Sequence, residues 1–460
     1  MSYEAVGGFT PDGVALPATG PAQDGLMAGE SRKLRNWALC WLVLPNLGFM
    51  LMWAVGGPPR YYLILATGAV GLLLRRAPYT VCLIAFLAVV AISAVVFISA
   101  LFNLAPGSIL DSIRFLGEMS PVASPEYAAA GIVVAATIAG ACQALRQRGD
   151  FRRTPALLAA ITLTLALAAL DFGVSYAGRS SYQRFPDAAA PFSSGVSQSG
   201  FAHGAAKRRH LVIVIVEAMG QPLDPALKRL QMGRWMKPDV QSRYRVTEGE
   251  TVFYGSTTSG ELRELCGRWG DYQALRDRRD PDCLPAQLRR AGYDTTSMHS
   301  FEGSFFDRTQ WYPNIGIGRQ RFASDLRAAG ASLCPGIFPG TCDRDVPRII
   351  ADQLREAKRP QFIYWLTVNS HLPVLENELL GTEHCARFDA ALNRSSPMLC
   401  RLFQLWGEVD DRLAAEIVKP DFPDADILLV GDHMPPFFDR RQRTQFSATT
   451  VPWVLLKRRD

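Results

Sequence analysis

Apolar positions fall into two regimes along the chain. Between Trp37 and Ala177 they form long runs with no amphipathic period; beyond Lys207 they shorten to strand-sized blocks separated by polar turns and amphipathic stretches. Five runs, 37–55, 60–74, 80–104, 127–145 and 155–177, are predicted to span a membrane, and the first, third and fifth approach the ~20 residues that a bilayer requires. The second run is short and contains glycine. Residues 1–30 are rich in Gly, Ala, Pro and polar groups, with too little to bury for a packed structure, so disorder is expected there. They also lack the basic start and apolar core of a cleaved leader.

Basic residues orient these runs. "SRKLR" precedes the first, "LLRRAP" joins the second to the third and "RQRGDFRR" joins the fourth to the fifth, whereas the opposite loops carry only Arg60 and Arg114. By the positive-inside rule the N-terminus and the richer loops are cytoplasmic. An odd number of spans then places everything after residue 178 outside the cytoplasm.

Residues 179–206, Ser-, Gly- and Ala-rich with interspersed aromatics, read as a linker lying along the membrane surface. Residues 207–460 suffice for one large α/β domain. Strands are predicted at 211–216, 293–298, 362–368 and 426–430, and helices at 260–266, 284–291, 346–357 and 400–417. "LVIVIV" and "DILLV" are continuously apolar, the pattern of parallel strands covered on both faces. Six cysteines (Cys266, Cys283, Cys334, Cys342, Cys385 and Cys400) lie beyond the last run, an even number that suits disulfides in an oxidising compartment. Of the 15 possible pairings, the sequential one closes three short local loops. The net charge of +6 is scattered along the chain and leaves no nucleic-acid footprint.

Both apolar strands end in ionisable groups: Glu217 after "VIVIV", and Asp432–His433 after "LLVG". In parallel sheets ligands bind beyond the carboxyl ends of the strands, so these residues can converge. Two carboxylates and an imidazole suit a divalent metal and leave a coordination position open for a nucleophile. "TTSGELREL" offers a threonine: Thr258 to Glu261 match a capping box, and a helix N-terminus also seats a phosphoryl group. Thr257 is the alternative register.

"VIVIVEAMG", "TTSGELREL", "HSFEGSFFDRTQWYPNIGI", "LTVNSHLPV" and "VGDHMPPF" occur in the order found in the alkaline phosphatase/sulfatase superfamily. The match most resembles its membrane-anchored phosphoethanolamine and phosphoglycerol transferases, including lipoteichoic acid synthases. That resemblance implies a five-helix transmembrane domain followed by an α/β/α sandwich. It also implies one divalent metal, zinc first and Mn or Mg as alternatives, held by Glu217, Thr258, Asp432 and His433. Thr258 would be the nucleophile, His371 would bind phosphate or relay a proton, and His299 and Arg308 would hold the donor phosphate. Phe306 stands where the glycerol-phosphate branch has Trp. The absence of a Cys/Ser-x-Pro-x-Arg segment excludes the formylglycine chemistry of true sulfatases, and the few histidines favour one metal over two. The implied partners are a phospholipid donor and a glycan or glycolipid acceptor. A phosphodiesterase and a catalytically silent envelope assembly protein are the rival readings.

Overall fold

The computed structural model describes residues 21–53, 58–101, 125–147, 149–175, 191–270, 272–437 and 440–460. Each of the five apolar runs is helical within them. A continuous helical stretch from Pro21 to Trp53 passes through one π turn, and the helices Tyr61–Leu73, Tyr79–Leu101, Pro125–Ala144 and Thr154–Ser175 follow. Three helical segments, Gly29–Trp53, Tyr79–Ala100 and Thr154–Ser175, are long and apolar enough to cross a membrane; Tyr61–Leu73 and Ala128–Ala144 are shorter. Of the residues 1–30 expected to be disordered, those from 21 onward belong to a helix that continues into the first apolar run. Residues 1–20, and most of the loop 105–126, lie outside the described residues. Close packing among these helices uses small residues, as expected in lipid. A Cβ at Gly71 would meet the Trp41 ring at 2.4 Å and one at Gly68 would meet Thr164 at 2.4 Å.

The C-terminal domain is built on one seven-stranded sheet. Its strands are β1 (His210–Val216), β2 (Tyr244–Val252), β3 (Asp294–His299), β4 (Arg319–Arg321), β7 (Gln361–Leu366), β8 (Ala425–Gly431) and β9 (Thr450–Arg458), with β5 (Leu333–Cys334) and β6 (Gly340–Thr341) forming a separate hairpin. The order is β2-β9-β8-β1-β7-β3-β4, and β9 runs against its neighbours. All four predicted strands are present within a residue or two. β1, β7 and β8 are buried along nearly their whole length, as continuous apolar runs require. The β9–β2 pair was not predicted. β2, "YRVTEGETV", is an edge strand whose middle is largely exposed, so its polar sequence hides it.

Helices cover both faces of the sheet. Val346–Glu356 buries Val346, Ile349, Ile350 and Leu354, spaced three and four apart, and joins Pro397–Ile417 over one core that includes Val212, Val214 and Ile363. The opposite face buries Leu211, Ile213, Leu262 and Trp311. The linker expectation is corrected over 191–206. Phe201 is 1% exposed, Gly195 and Val196 donate their N–H groups to Glu264 at 3.1 and 2.9 Å, and Trp453 Nε1 donates to Gln198. This segment is part of the α/β domain because its aromatic and backbone polar groups find partners there; 179–190 lie outside the described residues.

Cys266–Cys283, Cys334–Cys342 and Cys385–Cys400 are disulfide-bonded, the sequential pairing. Closing a loop of about 15 residues stabilises a fold by about 3 kcal/mol. Reduction is therefore expected to lower the thermal midpoint of the domain markedly, and non-reducing peptide mapping should recover these three links. An unchanged melting curve in reductant would mean that the bridges do not form.

Candidate active site

Four adjacent parallel strands, β8, β1, β7 and β3, end side by side. Ile215 pairs with Val430 and Leu366, and Leu366 pairs with His299. Glu217, Asp432 and His433 therefore leave neighbouring strand ends in one layer, with His371 in the loop after β7 and His299 at the end of β3. Candidate ligand atoms of Glu217, Asp432 and His433 all lie within 4.8 Å of one another.

The chain approaches itself closely to bring them there. A Cβ at Gly431 would sit 1.9 Å from the Met219 carbonyl oxygen, so glycine alone lets the turn after β1 cross the end of β8. Ala218 occupies the left-handed region at φ 55°, a conformation that costs a non-glycine residue roughly 1 kcal/mol or more. Its N–H donates to Asp432 Oδ1 at 2.8 Å, and the His433 N–H donates to the same oxygen at 2.7 Å. Thr367 accepts the Glu217 N–H, while Ser370 and Trp406 donate to the Glu217 carbonyl.

Asp432 Oδ1 is thus saturated, whereas Asp432 Oδ2 and Glu217 Oε1 are buried without a hydrogen-bond partner. His433 Nδ1 is 2.9 Å from the Met434 carbonyl. A carbonyl can only accept, so Nδ1 carries the proton and Nε2 presents a lone pair. That nitrogen lies 3.3 Å from Asp432 Oδ2 and 3.6 Å from Glu217 Oε1. Lone pairs therefore converge with too few protons to share. Burial, then the Asp432 carboxylate, pushes the Glu217 carboxyl well above its ordinary range. A divalent cation relieves both effects at once, and these donors fit one.

The threonine beside this cluster is Thr257. Its hydroxyl lies 3.2 Å from Glu217 Oε2 and 3.3 Å from His433 Nε2. Thr257, the alternative register, and not Thr258 is the threonine that the structure brings to the cluster. Gly255 turns the chain at φ 76°, Ser256 is the N-cap, and the helix Thr257–Cys266 begins two positions before the capping-box pattern implies. Thr258 is then buried at 2% exposure. Glu261 does not reach back to cap the helix; it accepts from Tyr312, from Tyr364 at 2.7 Å and from Arg308 at 3.0 Å. The turn signal in "YGST" was the available clue to this register.

The same helix is clamped to β8. Arg263 donates to the carbonyls of Gly431 (2.6 Å) and Asp432 (3.1 Å) and pairs with Glu264 at 2.6 Å. A Cβ at Gly260 would lie 3.0 Å from the Asp432 Cβ, so helix and strand end are in contact. Arg263 did not stand out in the sequence, and Glu261 did so only as the closing residue of a capping box.

His299 Nδ1 donates to the Leu366 carbonyl at 3.0 Å, and burial, reinforced by Arg308, pushes its imidazole down to about 3. It is a neutral acceptor, not a cationic clamp. Burial opposes the charge of Arg308, but Glu261 holds it firmly protonated. Its Nη groups are committed to Glu261 and to the Phe305 carbonyl, leaving Nε without a partner. Phe306 and Asp307 are consecutive left-handed residues, at φ 54° and 53°. The Phe306 ring packs edge-on to Phe305 and Tyr272 with the Arg308 guanidinium 5.5 Å away. His371, packed edge-on against Phe338 at 4.5 Å, has a buried Nδ1 without a partner. Burial, then His433, pushes it down to about 3.

Residues 254–452, which contain Thr257 and the Asp432–His433 pair, match the sulfatase family. This domain belongs to the sulfatase/alkaline phosphatase superfamily. The chain is also 26% identical over 215 residues, 44% of its length, to a Rhizobium meliloti (strain 1021) protein provisionally described as a cyclic beta-1,2-glucan modification protein; the match spans 33% of that relative. Among solved structures, the sulfatase domain is similar to the lipoteichoic acid synthase LtaP of Listeria monocytogenes, at 18% identity and TM-score 0.43 over 55% of this chain and 66% of that one. A similarity covering 86% of this chain and 81% of the other is to the integral membrane lipooligosaccharide phosphoethanolamine transferase EptA of Neisseria meningitidis, at 13% identity and TM-score 0.46.

Two outcomes check this geometry. Asp432→Ala and His433→Ala should each lower the zinc retained per chain, read by elemental mass spectrometry, while leaving the circular dichroism spectrum intact; full occupancy in both would remove them as ligands. Glu261→Ala leaves a buried guanidinium unpaired, and breaking such a pair costs about 3–5 kcal/mol, so the domain should melt well below wild type in a denaturant titration.

Proposed function

We propose that this chain is an integral membrane enzyme of the bacterial inner membrane, with its sulfatase domain in the periplasm. It transfers a phosphoalcohol group, phosphoethanolamine in the first reading, from a membrane phospholipid to an envelope glycan or glycolipid. Thr257 carries the group between donor and acceptor. The observation that carries this reading is the Thr257 hydroxyl, partly exposed at a helix N-terminus and within 3.3 Å of atoms from both Glu217 and His433.

A divalent metal held by Glu217, Asp432 and His433, zinc first, supplies Lewis acidity and makes the threonine hydroxyl a competent nucleophile. Thr257 gives up its hydroxyl proton and its Oγ bonds to the donor phosphorus. The bond from phosphorus to the diacylglycerol oxygen breaks, and that oxygen takes up a proton. The acceptor hydroxyl next attacks the same phosphorus, Thr257 Oγ leaves and is reprotonated, and His371 takes the acceptor proton. The N–H groups of Thr257, Thr258 and Ser259 precede the first intrahelical acceptor pairing, which Gly260 makes with Ser256, so they are available to a phosphoryl oxygen. An anionic phosphoryl group beside His371 raises the basicity that burial has lowered.

The basic loops, the disulfides and the apolar helices support the compartment, and the description of the Rhizobium relative supports a glucan among the acceptors. Phosphoglycerol is the second reading, favoured by His299 and Arg308 standing where the glycerol-phosphate branch has His and Arg.

Thr257→Ala should abolish transfer with the fold retained, because Ser256, not Thr257, is the cap and its side chain makes no capping bond. Thr257→Ser should keep part of the activity, and Thr258→Ala most of it. Intact-protein and peptide mass spectrometry of trapped enzyme should place a phosphodiester on Thr257, its mass identifying the headgroup. An adduct on Thr258, or an active Thr257→Ala protein, would return the nucleophile to the neighbouring position; release of free phosphoalcohol without acceptor would make the enzyme a phosphodiesterase.

A further inference from the structure

The bridge Cys334–Cys342 closes the hairpin β5–β6, whose tip is "PGIFP". That tip reaches His371, in the loop after β7. The backbone makes the approach possible. A Cβ at Gly340 would sit 1.9 Å from the Ser300 carbonyl oxygen, so glycine lets β6 lie against the end of β3. The Thr341 N–H donates to that same carbonyl at 2.9 Å. At the tip Ile337 is buried, and the half-buried Phe338 ring packs on Phe301 at 5.3 Å and on Phe305 at 5.0 Å.

The loop that carries His371 is held from two sides. Toward the carboxylate cluster, Thr367 accepts the Glu217 N–H and Ser370 donates to the Glu217 carbonyl. Toward the hairpin, the buried Asp343, one residue past the bridge, accepts the N–H groups of Val368 at 2.8 Å and Asn369 at 2.7 Å on its Oδ2. Asn369 returns the contact: its Oδ1 accepts the Asp343 N–H at 2.7 Å and its Nδ2 donates to the Thr341 carbonyl at 3.2 Å. These bonds fix the backbone, and the His371 N–H closes the turn onto the Val368 carbonyl at 3.0 Å. They do not fix the ring. His371 Nδ1 is buried without a hydrogen-bond partner, and the Phe338 ring lies edge-on to the imidazole at 4.5 Å, an arrangement that aromatic pairs favour. Packing against Phe338, and not a bond at that nitrogen, therefore orients the imidazole.

We propose that the segment 333–343 is a positioning element for His371: Phe338 orients its imidazole, Asp343 fixes the backbone that carries it, and the Cys334–Cys342 bridge holds the two together. The inference rests on the reading of His371 as the group that takes the acceptor proton. The hairpin then acts through His371 on the second half of the reaction, in which the acceptor oxygen bonds to phosphorus and Thr257 Oγ leaves. A group misplaced by about 1 Å can cost about 10²-fold in rate. Oxidation of this one cysteine pair is thereby a condition for turnover as well as for stability, which sets it apart from the bridge Cys385–Cys400.

The test follows the phosphodiester on Thr257 in the full chain in detergent. A mixture of short-chain phosphatidylethanolamine and phosphatidylglycerol serves as donor; after gel filtration removes it, peptide mass spectrometry reads the decay of the adduct with water as acceptor. Phe338→Leu, and Cys334→Ser combined with Cys342→Ser, should form the adduct at the wild-type rate with zinc retained, then lose it about tenfold or more slowly. Asp343→Ala should behave alike, and Asp343→Asn, which keeps an acceptor oxygen, should restore the decay. Cys385→Ser with Cys400→Ser should lower the melting point and leave the decay at the wild-type rate. If the serine pair at 334 and 342 does not fold, Phe338→Leu decides. Wild-type decay in Phe338→Leu, equal slowing by both serine pairs, or a defect confined to adduct formation would each overturn the proposal. His371→Gln separates the two readings. Its decay at the wild-type rate, or no adduct in wild type at all, removes the role of His371 on which both depend; slow decay in His371→Gln beside fast decay in Phe338→Leu removes the hairpin's role alone.

Discussion

Electron pairs converging without protons are the constraint around which the sulfatase domain is arranged. Glu217 Oε1, Asp432 Oδ2 and His433 Nε2 meet in a buried space where the Thr257 hydroxyl is the one donor within reach among the described residues. Such a cluster repels itself in a low-dielectric interior, and the fold must hold it against that repulsion. It does so with the backbone. The N–H groups of Ala218 and His433 fix one oxygen of Asp432, and Thr367, Ser370 and Trp406 fix the backbone of Glu217. The reactive atoms are left unpaired because every neighbouring polar group has been directed to the atoms that support them.

The strained and close-packed positions follow from the same demand. Ala218 in the left-handed region and Gly431 against the Met219 carbonyl bring two strand ends nearer than an ordinary βα turn does. Arg263 then ties the Thr257–Cys266 helix to the carbonyls of Gly431 and Asp432, anchoring the helix that carries the hydroxyl to the strand end that carries a carboxylate and the imidazole. Preorganisation of this kind suits an active centre whose groups must not relax toward one another before substrate arrives.

A second buried charge system supports the first. Glu261 sits one turn along the same helix and gathers Arg308, Tyr312 and Tyr364, drawing the "FFDRTQWY" segment and β7 onto the helix. This explains why Arg308 and His299, both assigned by resemblance to phosphate binding, are occupied in this structure with protein partners. The Arg308 Nε–H is without a partner, and His299 retains the acceptor nitrogen.

The sequence by itself determined the elements and their chemistry. Continuous apolar runs required parallel, doubly covered strands, and a carboxylate or an Asp-His pair at the end of such a run had to emerge at the sheet's carboxyl edge; β1, β8 and the Glu217–Asp432–His433 cluster were therefore legible. Even cysteines beyond the last apolar run made disulfides legible in the same way. What the tertiary structure decided was every matter of register and of partner choice. Whether Thr257 or Thr258 faces the cluster depends on a single helical position set by the turn at Gly255, a rotation of about 100° that residue type does not encode. In the sequence Glu261 looks like the end of a capping box, and Arg263 and Glu264 like a solvated helix face, until β8 and the Arg308 segment close over them. The polar edge strand β2 and the packed segment 191–206 were likewise hidden, because their stability comes from partners distant in the chain and not from any local pattern.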